Sequence, residues 1–313
     1  MRRNIIRQGN KSFTLTLPID WVREHRLKGG EELNIEQEEN KLVISLPKFS
    51  KSLDVSIDLD LRDYKKISIL MIIHQCYRKG FDKISIRYKD KEQLDYIKWI
   101  AKNTLLGFEV VNETGEICVL QNIAEPSPEK FDVILRKLFL LIKDEANEIY
   151  LSLKAKNIKD FEKREDARNA CDNFTNYIRR VIAKNRLGSR NSYLLYYFIA
   201  NLSWIQHSFY YFYKVCFKEK IKNVSNDVLD LLYKTIELYD FMYKCFYKKD
   251  LFAVNEVRKK SDDLLDYVED KITKNKGISN RLLLVLSIII RTYATTTTVM
   301  FGLDLNDPEH IID

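Results

Sequence analysis

The sequence predicts a multidomain α+β protein in three blocks: a strand-rich opening segment (1–47), a small α/β segment (52–123) and a six-helix region (128–303). Three observations predict it. The opening residues alternate as strands around a Leu17-Pro18 break, strand and helix signals interleave between Ser52 and Ile123, and from Pro128 onward the pattern is helical throughout. The Pro47 to Lys51 and Ala124 to Lys130 stretches read as linkers.

In the opening segment, "SFTLTL" alternates as a strand. Pro18 fits the first turn of a short helix over "IDWVREH", with Ile19 and Val22 on one side. "LKGGE" is a turn leading into the strands "ELNIEQ" and "KLVISL". Charge is concentrated at the start. Residues 1–30 carry seven cations (Arg2, Arg3, Arg7, Lys11, Arg23, Arg26, Lys28) against Asp20 and Glu24, a surplus of five, whereas residues 31–50 carry five Glu against Lys41 and Lys48. Some 45 residues cannot bury enough surface to stand alone, so a second copy is expected to complete the core.

The run from Arg2 to Ser45, with its basic strand, Gly9-Asn10 turn, Leu17-Pro18, short helix and Leu27-Lys28-Gly29-Gly30-Glu31 turn, resembles the AbrB/MazE/SpoVT swapped-hairpin domain. The resemblance implies a homodimer in which strands of both chains interleave into one small β-barrel with its basic edge on double-stranded DNA. Arg2, Arg3, Arg7 and Lys11 are then the phosphate-neutralising candidates, Ser12 a neutral phosphate donor, and Arg23 a further cation on the helix. Domains of this kind also serve as dimerisation or antitoxin modules.

The middle block reads "SLDVSID" strand, "LRDYKKISILMIIHQCYRKG" helix, "DKISIRYK" strand, "KEQLDYIKWIAKNTLL" helix, then "FEVVNE" and "EICVLQNI" as a hairpin around Thr114-Gly115. This predicts two helices on one sheet face, serving as a spacer or dimer support. It holds no glycine-rich phosphate loop. His74, set in "LMIIHQC", reads as a core histidine.

The helical region is a duplication. "KDFEKREDARNACDNFTNYIRRVIAKN" (159–185) aligns without a gap on "KDLFAVNEVRKKSDDLLDYVEDKITKN" (249–275), with Arg168/Arg258, Asp172/Asp262, Tyr177/Tyr267 and Lys184/Lys274 among the identities. Helices are expected at 128–156, 158–186, 190–219, 221–247, 249–275 and 277–302, giving repeats 128–219 and 221–303, with Gly188 and Gly277 at matching breaks. Two three-helix units with an aspartate on each second helix resemble the phosphate-uptake regulator PhoU, and the whole order of blocks resembles the archaeal PhoU-type regulators.

That resemblance implies a multinuclear iron or zinc site, which needs paired carboxylates at i, i+4 on one helix face. This chain departs from it. Asp172 and Asp262 match the second carboxylate, but Arg168 and Arg258 stand where the first should be, which suggests ion pairs. Asp262/Asp266 is the surviving Asp-xxx-Asp, and of the third-helix pattern only His207 remains, in "LSWIQHSF". At most a degenerate metal site is expected, and no cofactor.

Hydrophobic content of 45% with 18 Tyr and 16 Phe excludes a disordered chain. Five scattered cysteines without a CxxC pair predict reduced thiols and a cytoplasmic protein, with Cys171 and Cys216 in the core. No secretory signal is expected, since Arg2, Arg3 and Arg7 precede no apolar run. Ser192 to Phe217 is long enough to span a bilayer, yet its Asn201, Ser203, Gln206 and His207 favour a buried bundle helix. "RLLLVLSIIIRTYATTTTVMFG" has Arg291 in its middle. No nucleophile with its base is visible, so an enzyme is not expected. The sequence therefore predicts a dimeric DNA-binding transcriptional regulator related to phosphate uptake. The alternative is an adaptor that dimerises through its N-terminal domain and docks on a phosphate-transporter ATPase or a signalling kinase.

Overall fold

A computed structural model describes residues 2–9, 12–38, 41–46, 55–124, 128–185, 187, 191–221 and 223–304. Lys11, the linker at 47–51, Gly188 and the middle of the 124–130 linker lie outside them. The chain divides into two compact units, Met1–Asp54 and Val55–Asp313.

In the first unit β1 (Ile6–Gln8) pairs antiparallel with β2 (Ser12–Thr14), and Gly9 takes the positive φ of 74° that the turn between them needs. Helix α1 (Ile19–Glu24) follows Pro18, and β3 (Asn34–Glu38) pairs antiparallel with β4 (Lys41–Ser45). The result is two separate two-stranded sheets. Alternation puts Ile35, Leu42 and Ile44 on one face of the second hairpin, yet Ile35 and Leu42 are 64% and 65% exposed, as are Ile5 at 67% and Phe13 at 64%. None of the described residues of this unit is buried. Two-stranded hairpins without a covered apolar face are marginal in water, and among the described residues of this unit no buried core holds them.

The second unit begins with β5 (Ser56–Asp60), α2 (Lys66–Arg78), β6 (Lys83–Arg87), α3 (Lys91–Thr104), β7 (Phe108–Thr114) and β8 (Ile117–Asn122). Strand order is β5-β6-β8-β7, with β5 and β6 parallel across the α2 crossover and the remaining pairs antiparallel. Ile84, Ile86, Cys118, Leu120 and Phe108 point to the helices and form one core with Ile69, Ile73, Tyr77, Ile97 and Ile100. Asp58, Asp60, Ser85 and Arg87 alternate onto the opposite, open face. Helix α2 ends at a left-handed Gly80 (φ 93°), where the N–H of Phe81 reaches the Cys76 carbonyl and that of Gly80 the Tyr77 carbonyl.

Six long helices follow: α4 (Phe131–Lys154), α5 (Phe161–Asn185), α6 (Ser192–Lys218), α7 (Asn226–Lys248), α8 (Leu251–Lys274) and α9 (Ile278–Asp304). They form two three-helix units, α4–α6 and α7–α9, which meet through equivalent elements, α6 on α9 and α4 on α7. That like-on-like contact is what a duplicated sequence folding twice produces. The aromatic residues of α6 are spent largely on this core: Phe198, Phe209, Phe212 and Tyr213 are buried, and Phe198 stacks on Phe246 of α7 at 4.6 Å. Among the described residues one helix, Ile278–Leu303, is long and apolar enough to cross a membrane, and most of it packs inside the bundle. All five cysteines are buried free thiols, and burial pushes Cys216 up to about 12.

Helices α5 and α8 are left on the outside by this arrangement. Both α2 and α3 pack on α5, so the α/β segment and the bundle share a single compact unit.

Candidate functional site

At the N-terminus Arg2, Arg3 and Arg7 are exposed, and so is Arg23 on α1. The β1–β2 register sets Arg7 opposite Phe13, so cation and aromatic share a face, while Ile6 faces Thr14 on the other side. The Ser12 hydroxyl donates to the Gln8 carbonyl across the turn, so a bond from it to phosphate would require releasing that contact. The described part of the module thus carries three exposed arginines ahead of and on its first strand, next to exposed apolar residues such as Ile5, Phe13, Ile35 and Leu42.

The second concentration of polar groups lies on α5. Steps of four residues bring Arg168, Asp172, Asn176, Arg180 and Lys184 onto one ridge of the helix. Arg180 is fully buried, and its Nη1 donates to the carbonyls of Tyr77 (3.0 Å) and Phe81 (2.8 Å) at the end of α2. Its Nη2 meets the Asp82 carboxylate at 2.6 Å, and its guanidinium lies 5.1 Å from the ring centres of both Tyr77 and Phe108. Lys184 reaches the same Asp82 oxygen at 2.7 Å. Asn176 donates to the Thr104 carbonyl (2.9 Å) and accepts from Arg78 Nε (2.7 Å). A cation at the C-terminus of α2 satisfies terminal carbonyls and opposes the negative end of the helix dipole.

Further along the ridge Asp172 is buried and accepts a 3.0 Å hydrogen bond from His207 Nε2, with Arg168 Nε at 4.0 Å. Burial works to raise this carboxyl, but the His207 hydrogen bond and the neighbouring positive groups outweigh it and hold its pKa below the ordinary value. The matching pair in the second repeat, Arg258 and Asp262, sits at 3.1 Å with both side chains half exposed. Both ion pairs suggested by the two arginines are therefore present, in unlike surroundings. The cause is the neighbour, since α2 and α3 cover α5. Along the α8 ridge Arg258 pairs with Asp262 and Lys274 lies 2.5 Å from Asp270, while Asp266 between them makes no ion pair among the described residues.

The structure brings Asp172 and His207 together, while Asp262 pairs with Arg258. Among the described residues no group of three or more His, Cys, Asp or Glu side chains converges as a metal would require. His74 is buried in the α/β core. The Thr104 hydroxyl gives its hydrogen to the Ile100 carbonyl, so His74 Nε2 is the donor in their 2.9 Å contact, and burial pushes its pKa down to about 4.

Sequence reasoning overlooked Arg78, Asp82, Asn176, Arg179 and Arg180. A signal for the α5 members was present in the repeat. Where the two copies agree the ridge reads Arg, Asp and Lys; where they part, Asn176, Arg179 and Arg180 stand against Asp266, Glu269 and Asp270. Those are positions of α5 that face a different neighbour.

Residues 6–50 match the family model described as antidote-toxin recognition MazE, bacterial antitoxin. No curated protein and no solved structure matches the chain. The matched segment lies within the first unit, whose described residues include the exposed Phe13, Ile35 and Leu42.

Proposed function

We propose that the chain is a DNA-binding transcriptional regulator that works as a homodimer, with the N-terminal module gripping duplex DNA and the helical unit responding to, or docking on, a partner. The observation that carries this reading is the MazE-type match over residues 6–50, on a module with exposed Arg2, Arg3 and Arg7 and no buried residue among those described. A second copy covers Ile35, Leu42 and Phe13 and doubles the arginines. Phosphate uptake as the regulated process is the finer part of the proposal. It is supported by the duplicated three-helix architecture and its like-on-like packing.

Salt dependence of duplex binding tests the proposal. If Arg2, Arg3 and Arg7 of both chains neutralise six phosphates, they contribute about −5 to the slope of log K against log salt, and replacing them with Ala removes that share. The matched family is described by toxin recognition, which favours a second reading: the module dimerises and binds protein, and the bundle serves as an adaptor for a transporter ATPase or kinase. A wild-type dimer without duplex affinity even at low salt selects the second reading. A monomer defeats both.

A further inference from the structure

Beside the Arg180 contact, the same junction of α2, α5 and α6 gathers three more arginines around one carboxylate. Arg78 reaches from α2 to Asn176, one turn beyond Asp172 on α5; Arg168, one turn before Asp172, lies 4.0 Å from it, and Arg179 follows Asn176 by three residues on the same helix. Arg179 is only 8% exposed, its Nε has no hydrogen-bond acceptor, and its guanidinium lies 5.3 Å from the centre of the Tyr196 ring. Arg78 is half-buried and spends its Nε on Asn176, a neutral acceptor. Among the described residues neither Arg78 nor Arg179 has a carboxylate within the 4.0 Å of an ion pair. Asp172 already takes a hydrogen bond from His207 and lies 4.0 Å from Arg168 Nε. His74, one turn before Arg78 on α2, is held neutral by burial.

Buried cations are ordinarily paired, because taking an isolated charge out of water is costly. Here burial first, and the charge of Arg78 second, hold Arg179 down to about 10, and burial holds Arg78 below its ordinary value. The half-buried side chains of Arg78, Arg168 and Tyr196 leave the rim of the cluster open to solvent. Guanidinium groups present planar forks of donors, which match the oxygens of phosphate, sulfate or carboxylate.

We propose that Arg78 and Arg179, with Arg168 at the rim, form a binding site for a small oxyanion at the seam between the α/β segment and the bundle. The anion supplies the negative charge that Asp172 alone does not, and it ties α2 to α5. The site is independent of the N-terminal arginines and of whether the protein binds DNA.

Isothermal titration of the full-length protein with inorganic phosphate, and separately with sulfate and acetate in a chloride background, tests it. The expected result is one oxyanion per chain, retained in an R2A/R3A/R7A variant and in Arg258→Ala. Arg179→Met abolishes binding and Arg179→Lys, which keeps the charge but loses the fork, weakens it at least tenfold. Asp172→Asn removes the competing carboxylate and tightens binding several-fold, a gain that a purely structural role for the cluster would not produce. The relative affinities of the three anions assign a tetrahedral or a planar ligand. No binding of any of the three, or binding undiminished in Arg179→Lys, overturns the proposal.

Discussion

Replacing Arg180 with Met should cost about 3 kcal/mol of stability. The substitution keeps the length of the side chain and removes donors to two carbonyls and to Asp82. Removing one member of a buried ion pair usually costs about 3–5 kcal/mol, because the charge left behind has no compensation. Asp82 retains Lys184 at 2.7 Å, which places the cost at the low end, while the freed Tyr77 and Phe81 carbonyls keep it from falling further. With a urea dependence of roughly 3 kcal/mol per molar, the unfolding midpoint moves down by about 1 M. The double variant with Asp82→Asn should lose less than the sum of the two single changes, by about 1.5 kcal/mol, since the interacting charges then disappear together. Because Arg180 joins α2 to α5, far-ultraviolet circular dichroism of the bundle and fluorescence of Trp99 in α3 should stop coinciding in the variant. A midpoint shift under roughly 0.3 M, or an equal cost in the Asp82→Asn background, would show that the contact contributes little to holding the α/β segment on the bundle.

Three further outcomes follow from the same geometry. His74 has its pKa pushed from 6.5 down to about 4, so between those values the unfolded chain takes up a proton that the folded one does not, and stability drops as pH falls. From pH 7 to pH 5 that loss is about 2 kcal/mol, and His74→Gln should remove it from the difference between urea midpoints at the two pH values. Gly107 holds φ at 81°, and a Cβ there would lie 2.2 Å from the Ala124 carbonyl oxygen, so Gly107→Ala should lower thermal stability by more than about 2 kcal/mol. Arg164→Met strips the buried Glu145 of its 3.0 Å partner and should cost about 3–5 kcal/mol, whereas Arg258→Ala, in a half-exposed pair, should change stability by no more than about 0.5 kcal/mol. Equal costs for these two arginines would contradict the burial argument.

The sequence by itself determined the order and kind of the elements. Alternation in "KISIR" and the i, i+4 spacing of Leu135, Leu138, Phe139 and Ile142 are local patterns, and each marks the face of a strand or helix that must leave water. The duplication was legible for the same reason, since it is a comparison of the chain with itself. His74 in an apolar run could be read as a core histidine without knowing that Thr104 would be its partner.

Tertiary structure alone decided which outer helix would be covered. Nothing in Arg168-xxx-Asp172 distinguishes it locally from Arg258-xxx-Asp262, yet one aspartate is buried against His207 and the other faces water. Arg180 and Asp82 are 98 residues apart, and neither residue type announces its partner over that distance. A charge on a helix reads as solvated until a second surface is laid on it, because the free energy of that charge is set by the dielectric and the partners around it. Periodicity records where a side chain points along its own element, and only packing fixes what it meets there.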